Sequence, residues 1–312
     1  MMVSRRYDQT DKQAWDHLVG NSKNGIFLFY RDYMDYHKFR FKDHSLMFFR
    51  NNKLIALLPA SEAIDGLCSH GGLTFGGLLY GSKLGISDVQ EVFDSLVQYM
   101  RSAGFLKLIY KSIPFLFSAI PSQEDIFVLH KNKANLERRE LSTALSFNNR
   151  IRFSKGKREG VKKAARKQLT FEESNDYASF FEMGEKIMKD RHDLIPVHNA
   201  SEMKLLKDSF SDEIKMFVAR SNGEILAGTI VYDYGNAIHT QYMYNSNEGF
   251  ECGALDFVIE NLIACYEATK DYLSFGISTE EGGAILNLGL QRQKEMFGGR
   301  SVVHDTYELT LR

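Results

Sequence analysis

Two histidines, a pair of glutamates and a run of cations are the side chains here whose types and spacing could do chemistry. His70, in Ser69-His70-Gly71-Gly72, and His239, in Ile238-His239-Thr240-Gln241-Tyr242, fall at comparable places after two similar hairpins. Histidine titrates near neutrality, so either could accept a proton; either could equally serve as a hydrogen-bonded group within a sheet. Two glycines follow His70, so its ring could lie beside a closely approaching backbone or a ligand. Gln241, Tyr242 and Tyr244 could line the same cleft as His239. Ser278-Thr279-Glu280-Glu281-Gly282-Gly283 lies just past a strand-like stretch, where functional loops gather. There Glu280 or Glu281 could act as a base or orient an acceptor amine, with Ser278 beside it, or the stretch could be a solvated turn. Arg158, Lys162, Lys163 and Arg166 belong to a strongly basic segment. They could clamp the pyrophosphate of a nucleotide sugar or lipid, follow an RNA backbone, or form a solvated helix face. Arg191 and His192, after a stretch rich in Phe180, Phe181, Met183, Ile187 and Met188, form a further candidate pair.

The elements that must position these groups repeat along the chain. Met47-Phe48-Phe49-Arg50-Asn51-Asn52-Lys53-Leu54-Ile55-Ala56-Leu57 is apolar, then polar, then apolar again. Phe217-Val218-Ala219-Arg220-Ser221-Asn222-Gly223-Glu224-Ile225-Leu226 has the same form, with an Asn-Gly turn that tolerates positive φ. Both read as β-hairpins. After the first come a strand-like region over 67–79 and a helix. That helix is expected to start at Ser87, with Gln90 completing a capping box, to bury Val89, Val92, Phe93, Leu96, Val97 and Met100, and to stop at Gly104. A strand over 105–110 follows. After the second hairpin the pattern predicts a strand over 237–244, a helix over 253–268 and a strand over 272–277. Hairpin, strand, helix, strand therefore occurs twice, which predicts an α+β fold of two tandem units, each a mixed, mostly antiparallel sheet flanked by helices. The boundary is placed at the basic segment, giving units over 1–149 and 150–312, with a cleft between them.

Composition narrows the setting. The 312 residues suffice for two domains, and 44% hydrophobic residues provide ample core. A formal net charge of −1 excludes a uniformly basic nucleic-acid coat while permitting a local basic patch. Cys68, Cys252 and Cys265 are far apart and without metal-ligand spacing, so thiols in a reducing, cytoplasmic setting are expected and no metal. No apolar run follows Arg5-Arg6 as in a signal peptide, and no window approaches the length of a membrane span. The 23 phenylalanines and 15 tyrosines read as core and interface.

The stretch Tyr272-Leu273-Ser274-Phe275-Gly276-Ile277, then Gly289-Leu290, then Gln293-Lys294-Glu295-Met296-Phe297-Gly298-Gly299, resembles the C-terminal signature of Fem-type (FemAB-like) transferases of the GNAT acyltransferase superfamily. The basic helix with Gly160 and Lys162-Lys163-Ala164 resembles the segment that opens the family's second unit. Phe27-Leu28-Phe29-Tyr30-Arg31-Asp32-Tyr33-Met34 and Ser69-His70-Gly71-Gly72-Leu73-Thr74-Phe75-Gly76-Gly77 resemble single-chain bacterial relatives. The resemblance implies two GNAT-like units. It also implies transfer of an amino acid from aminoacyl-tRNA to a cell-wall precursor, or of an acyl group from acyl-CoA to a surface saccharide. It puts Lys294 in the Lys-x-x-Phe-Gly position, where an ammonium could stabilise an oxyanion or a phosphate, or be merely solvated. It also sets Asn245-Ser246-Asn247-Glu248-Gly249-Phe250-Glu251-Cys252-Gly253-Ala254 against the GNAT pyrophosphate loop. Gly249, Gly253 and Ala254 are present, but no basic residue is, and two glutamates would repel a pyrophosphate. The helical-hairpin insertion that some tRNA-using members carry is absent.

The reading is an acyl- or aminoacyltransferase acting on an amine, or a hydroxyl, of a cell-envelope glycan or peptidoglycan precursor. Lys294, His239 and Glu280 are its catalytic candidates. His70, Arg158, Lys162, Lys163, Arg166, Gln241, Tyr242 and Ser278 are the substrate contacts, and Gly249, Gly253 and Ala254 the weak acyl-CoA motif. Its partners would be a small-molecule donor and a nucleotide- or lipid-linked sugar. Two alternatives stand beside it: a non-catalytic binding or scaffold protein of the same fold, and an RNA-binding enzyme using charged tRNA.

Overall fold

The computed structural model describes residues 2–36, 39–191 and 198–311. Two compact units emerge. The first comprises Met1–Leu141, Glu281–Ile285 and Val303–Arg312, and the second Ser142–Glu280 and Leu286–Val302.

The first unit begins with β1 (Met2–Arg6), α1 (Lys12–Asn21), α2 (Arg31–Tyr36), β2 (Leu46–Arg50) and β3 (Lys53–Leu58). Then come β4 (Ser61–Ala63), β5 (Gly66–Ser69), β6 (Leu79–Tyr80), α3 (Ile86–Ser102), β7 (Lys107–Lys111), α4 (Glu124–Lys131) and the start of β8 (Asn135–Ser146). One antiparallel sheet has the order β1-β2-β3-β6. The β2–β3 hairpin turns at Asn51 and Asn52, both at positive φ, as the sequence requires of so short a connection. The stretch expected as one strand over 67–79 is instead two strands in different sheets. β6 pairs with β3, whereas β5 lies antiparallel to β4 and parallel to β7. Gly76 lies between β5 and β6, where a Cβ would fall 1.4 Å from the Ser69 carbonyl oxygen. Helix α3 starts one residue earlier than expected, because the Asp88 carboxylate accepts the Gly85 N–H at 2.8 Å and makes Gly85 the N-cap. Its apolar stripe Val89, Val92, Phe93, Leu96 and Met100 is fully buried against Leu46, Phe48, Ala56, Leu67, Tyr80, Leu108 and Tyr110.

The second unit carries α5 (Lys155–Arg166), β9 (Thr170–Glu173), α6 (Tyr177–Arg191), α7 (Ala200–Ser209), β10 (Ile214–Ser221), β11 (Glu224–Asp233) and β12 (Ala237–Asn245). It continues with α8 (Asn247–Cys252), α9 (Ala254–Tyr266), β13 (Tyr272–Ile277), β14 (Thr279–Glu280), β15 (Ile285–Leu286), α10 (Leu288–Met296) and the start of β16 (Arg300–Thr310). Its sheet runs β8-β13-β12-β11-β10-β9, antiparallel except for the β12–β13 pair. A strand followed by a parallel neighbour needs a crossover, and α9 supplies it. Leu255, Val258, Ile259, Leu262 and Ile263 of α9 pack on Ala227, Val231, Ile238 and Leu273, forming this unit's core. The sharp bend between α8 and α9 falls on Gly253, at φ 77°. A Cβ there would meet the Gly160 carbonyl oxygen at 2.3 Å, and one on Gly160 would meet Asp256 Oδ2 at 2.0 Å. The two glycines thus let α5 and α9 touch backbone to backbone.

Candidate active site

In the second unit the parallel pairing of β12 with β13 covers only Ala237↔Tyr272, Ile238↔Leu273 and His239↔Ser274, although both strands run further. Two irregularities lie near the end of the pairing. Thr240 opposes Val231 and Tyr242 opposes Ile230, so Gln241 is the extra residue of a bulge in β12. In β13, Gly276 turns at φ 72°, and the pairing with β8 skips from Ser274 to Ile277. Bulges of this kind re-aim side chains at the ends of paired strands.

His239 occupies the last paired position. Its Nδ1 lies 3.0 Å from Ser274 Oγ, and its ring stacks on Tyr234 with centroids 5.8 Å apart. A Cβ at Gly276 would lie 3.3 Å from His239 Cε1, so the imidazole borders the Gly276 backbone. From the other direction comes Lys294. Its Nζ donates to the carbonyl oxygens of Gly276 at 2.9 Å and Ile277 at 2.5 Å. Only 3% of Lys294 is exposed, and among the described residues no carboxylate pairs with it. Burial alone pushes its ammonium down to about 8. It is therefore no solvated surface lysine. Two of its three N–H donors are used by the carbonyls that β13 turns toward it.

Ser278 follows directly, 1% exposed, with no hydrogen-bond partner for its Oγ among the described residues. Buried hydroxyls of this kind are uncommon in folded proteins, and Ser142 Oγ is another. The backbone thus gathers His239, Ser278 and Lys294 around Gly276–Ile277. Glu280 is exposed, and its Oε1 accepts from Asn287 Nδ2 at 2.9 Å, which ties it to the residue that caps α10. It is held as part of a turn.

A cavity of about 430 Å³ is lined by Gly156 and Lys157 of α5, by Asn245, Phe250 and Gly253, by Leu255 and Asp256 of α9, and by Gln293 and Met296 of α10. Lys157 Nζ lies 2.7 Å from Asp256 Oδ1 and 4.2 Å from the centre of the Phe297 ring. Burial raises the Asp256 carboxyl, partly opposed by Lys157. Gly249 and Ala254 are buried, and a Cβ on Gly249 would fall 2.3 Å from the Leu226 carbonyl oxygen. Close packing therefore explains Gly249 and Gly253, and of the three loop residues only Gly253 lines the cavity. The first turn of α9 presents a carboxylate, Asp256, rather than a cation.

The other expected residues make contacts of their own. Arg158, Lys162, Lys163 and Arg166 are on the exposed face of α5, Lys162 resting on Glu159 at 3.0 Å. Tyr242 is held by its hydroxyl 2.7 Å from His198 Nδ1, burial pushing it up to about 12; Gln241 is half-buried beside it. His70 belongs to the first unit, 3% exposed, and the ring of Phe41 lies flat over the two glycines after it. The close approach that Gly71-Gly72 permit is therefore that of Phe41. The side chain of Arg191, and His192, lie outside the described residues. Three residues carry more of the site than the sequence suggested: Ser274, Lys157 and Asp256. The spacing Lys157, Gly160, Val161, Ala164 was the available signal, since it marks the inward face of α5.

No protein-family model matches this chain, and no curated protein matches it by sequence. Solved structures do. FemX superposes with TM-score 0.70 at 11% identity, covering 98% of this chain and 97% of its own. The C-terminal DUF2156 domain from Agrobacterium fabrum, assigned to a lysylphosphatidylglycerol synthetase, gives 0.61 at 12% identity, covering 96% and 92%. A tandem GNAT protein from the clavulanic acid biosynthesis pathway gives 0.50 at 8% identity, covering 100% and 99%. The fold is thus that of FemX and of tandem GNAT proteins, α+β with two GNAT-like units.

Proposed function

We propose that the chain is an acyl- or aminoacyltransferase whose reaction centre lies at the end of β13. The observation that carries this reading is Lys294: a buried ammonium without a carboxylate, converging with His239 on Gly276. Acyl transfer needs a proton acceptor and a stabilised oxyanion. In this reading an amine nitrogen attacks the carbonyl carbon of an activated acyl ester or thioester. His239, its ring oriented by Ser274, takes the amine proton. The Lys294 ammonium and the Ser278 hydroxyl are the donors available to the oxyanion. When the carbon–oxygen or carbon–sulfur bond breaks, the imidazolium returns the proton to the leaving group.

The cavity between α5, α9 and α10 would take the donor's arm. The cation that lines it, Lys157, is already engaged by Asp256, which fits poorly with the pyrophosphate of an acyl-CoA and favours an acyl group delivered from a carrier that places no phosphate there. For the acceptor, the fold neighbours FemX and the domain assigned to a lysylphosphatidylglycerol synthetase support an envelope precursor.

The test is to incubate the protein with acetyl-CoA or charged tRNA and a nucleotide-linked amino sugar, and to follow acylated product by mass spectrometry. Lys294→Met and His239→Gln should each lower turnover about a hundredfold or more. Undiminished product in both variants would remove this cluster from the chemistry. Thermal stabilisation by the acceptor without product from any donor would make the protein a binding module.

A further inference from the structure

We propose that Tyr234 is a positioning residue for the reaction, its ring fixing the plane of the His239 imidazole so that Nε2 is the nitrogen presented at Gly276. This rests on the proton-acceptor role given to His239 above. A hydrogen bond at one ring nitrogen holds one point of an imidazole and leaves the ring free to tilt about it. A proton acceptor needs its other nitrogen held as well. Ser274 Oγ, 3.0 Å from Nδ1, supplies the point. The plane comes from Tyr234, whose ring lies 18° from parallel to the imidazole with centroids 5.8 Å apart, the geometry of an offset stack. A Cβ on Gly276 would stand 3.3 Å from Cε1 and 3.8 Å from Nε2, so this edge of the ring faces the residue whose carbonyl takes the Lys294 ammonium. A half-turn of the ring would bring Cδ2 to Ser274 and exchange Nε2 with Cε1.

The chain around Tyr234 gives the ring a fixed mount. Asp233-Tyr234-Gly235-Asn236 forms the tight connection from β11 to β12, with Gly235 at φ 85°. The Tyr234 N–H donates to the Ala237 carbonyl at 2.9 Å, and the Gly235 N–H to Asp233 Oδ1 at 2.8 Å. Lys270 spans this turn, its Nζ donating to Asp233 Oδ1 at 2.6 Å and to the Gly235 carbonyl at 2.9 Å. Tyr232 stands behind. It opposes His239 in the β11–β12 register, so the two share a face of the sheet, and its ring meets that of Tyr234 edge to face at 6.3 Å. The Tyr232 hydroxyl is itself held, 3.7 Å from the Met203 sulfur. All three rings are buried, so none turns unless its neighbours move.

The test compares Tyr234→Phe, which keeps the ring face, with Tyr234→Leu, which stays apolar but loses the plane. Gly223→Ala is the control, because it loosens the same unit at the β10–β11 turn with nothing within 4 Å of its Cβ. In nitrogen-15 spectra of the full-length protein, the parent and Tyr234→Phe should show His239 as one tautomer with its proton on Nδ1. Tyr234→Leu should show averaged ring signals. With the donor and acceptor that yield product, Tyr234→Leu should lower kcat about tenfold or more at a KM within about twofold of the parent, and Tyr234→Phe should recover most of the loss. Gly223→Ala should change neither the signals nor kcat. Unaltered His239 signals in Tyr234→Leu, equal losses in the Phe and Leu variants, or a matching loss in Gly223→Ala overturns the proposal. Failure of the underlying reading looks different: the His239 signals respond to Tyr234→Leu as expected, but His239→Gln keeps full turnover. That result would leave the stack in place and overturn its part in the reaction.

Discussion

Replacing Lys294 by methionine removes a buried ammonium while keeping most of its stem. Burial lowers this group from its ordinary 10.5 to about 8 in the folded chain. Between those values the unfolded state holds a proton that the folded state has released, so stability must rise with pH through that window. Above the unfolded value both states are neutral and the penalty is gone; below about 8 it is fully present. A shift of this size corresponds to a penalty on the order of 3 kcal/mol, of which about 2 kcal/mol is relieved between about pH 7 and about pH 9.5. The methionine variant lacks the titration. It escapes the penalty but leaves the Gly276 and Ile277 carbonyls without their donor, at about 1–3 kcal/mol. At pH 7 its stability should thus fall within about 2 kcal/mol of the parent, and the parent should gain on it as pH rises. Urea unfolding of both proteins at matched pH values measures the difference. Parallel stability–pH curves would refute the reasoning, because they would mean that Lys294 is solvated or paired.

Three further outcomes follow from the packing and hydrogen bonding. Gly253→Ala should destabilise the second unit by more than about 2 kcal/mol in urea unfolding, since it adds a clash with the Gly160 carbonyl to an unfavourable positive φ. Gly223→Ala, at φ 87° but with nothing within 4 Å of its Cβ, should cost only the backbone part, about 1 kcal/mol; equal losses would show that the α5–α9 contact is looser than the structure has it. Ser274→Ala should change the ring tautomer of His239 in nitrogen-15 spectra, because it removes the hydroxyl at Nδ1. Unchanged ring signals would mean that Ser274 does not orient the imidazole.

Local patterning was enough to determine much of this protein. The Asn51-Asn52 and Asn222-Gly223 turns are legible because so short a connection demands positive φ, and the stripes of α3 and α9 because an apolar period near 3.6 must face a core. Strand β13 lies where its aromatic run ends in Gly276. Tertiary structure alone decided what the polar residues do. The sequence left open whether Lys294 is a solvated surface lysine. The choice was made by the turn at Gly276, which aims two carbonyls at an ammonium some seventeen residues away in the chain. Sequence likewise set Lys157 among its basic neighbours as an equal. It is the face turned to α9 that pairs it with Asp256, ninety-nine residues distant, while the Arg158 guanidinium reaches only the Phe153 carbonyl. His70 and His239 stand at matching places in the two hairpin repeats. Yet one packs near Phe41 in the first unit, and the other meets Ser274 in the second. Local periodicity records which face of an element is buried, because burial is a property of that element's own side chains. It does not record which distant backbone that face meets, and the meeting fixes whether a charge is desolvated, paired or free.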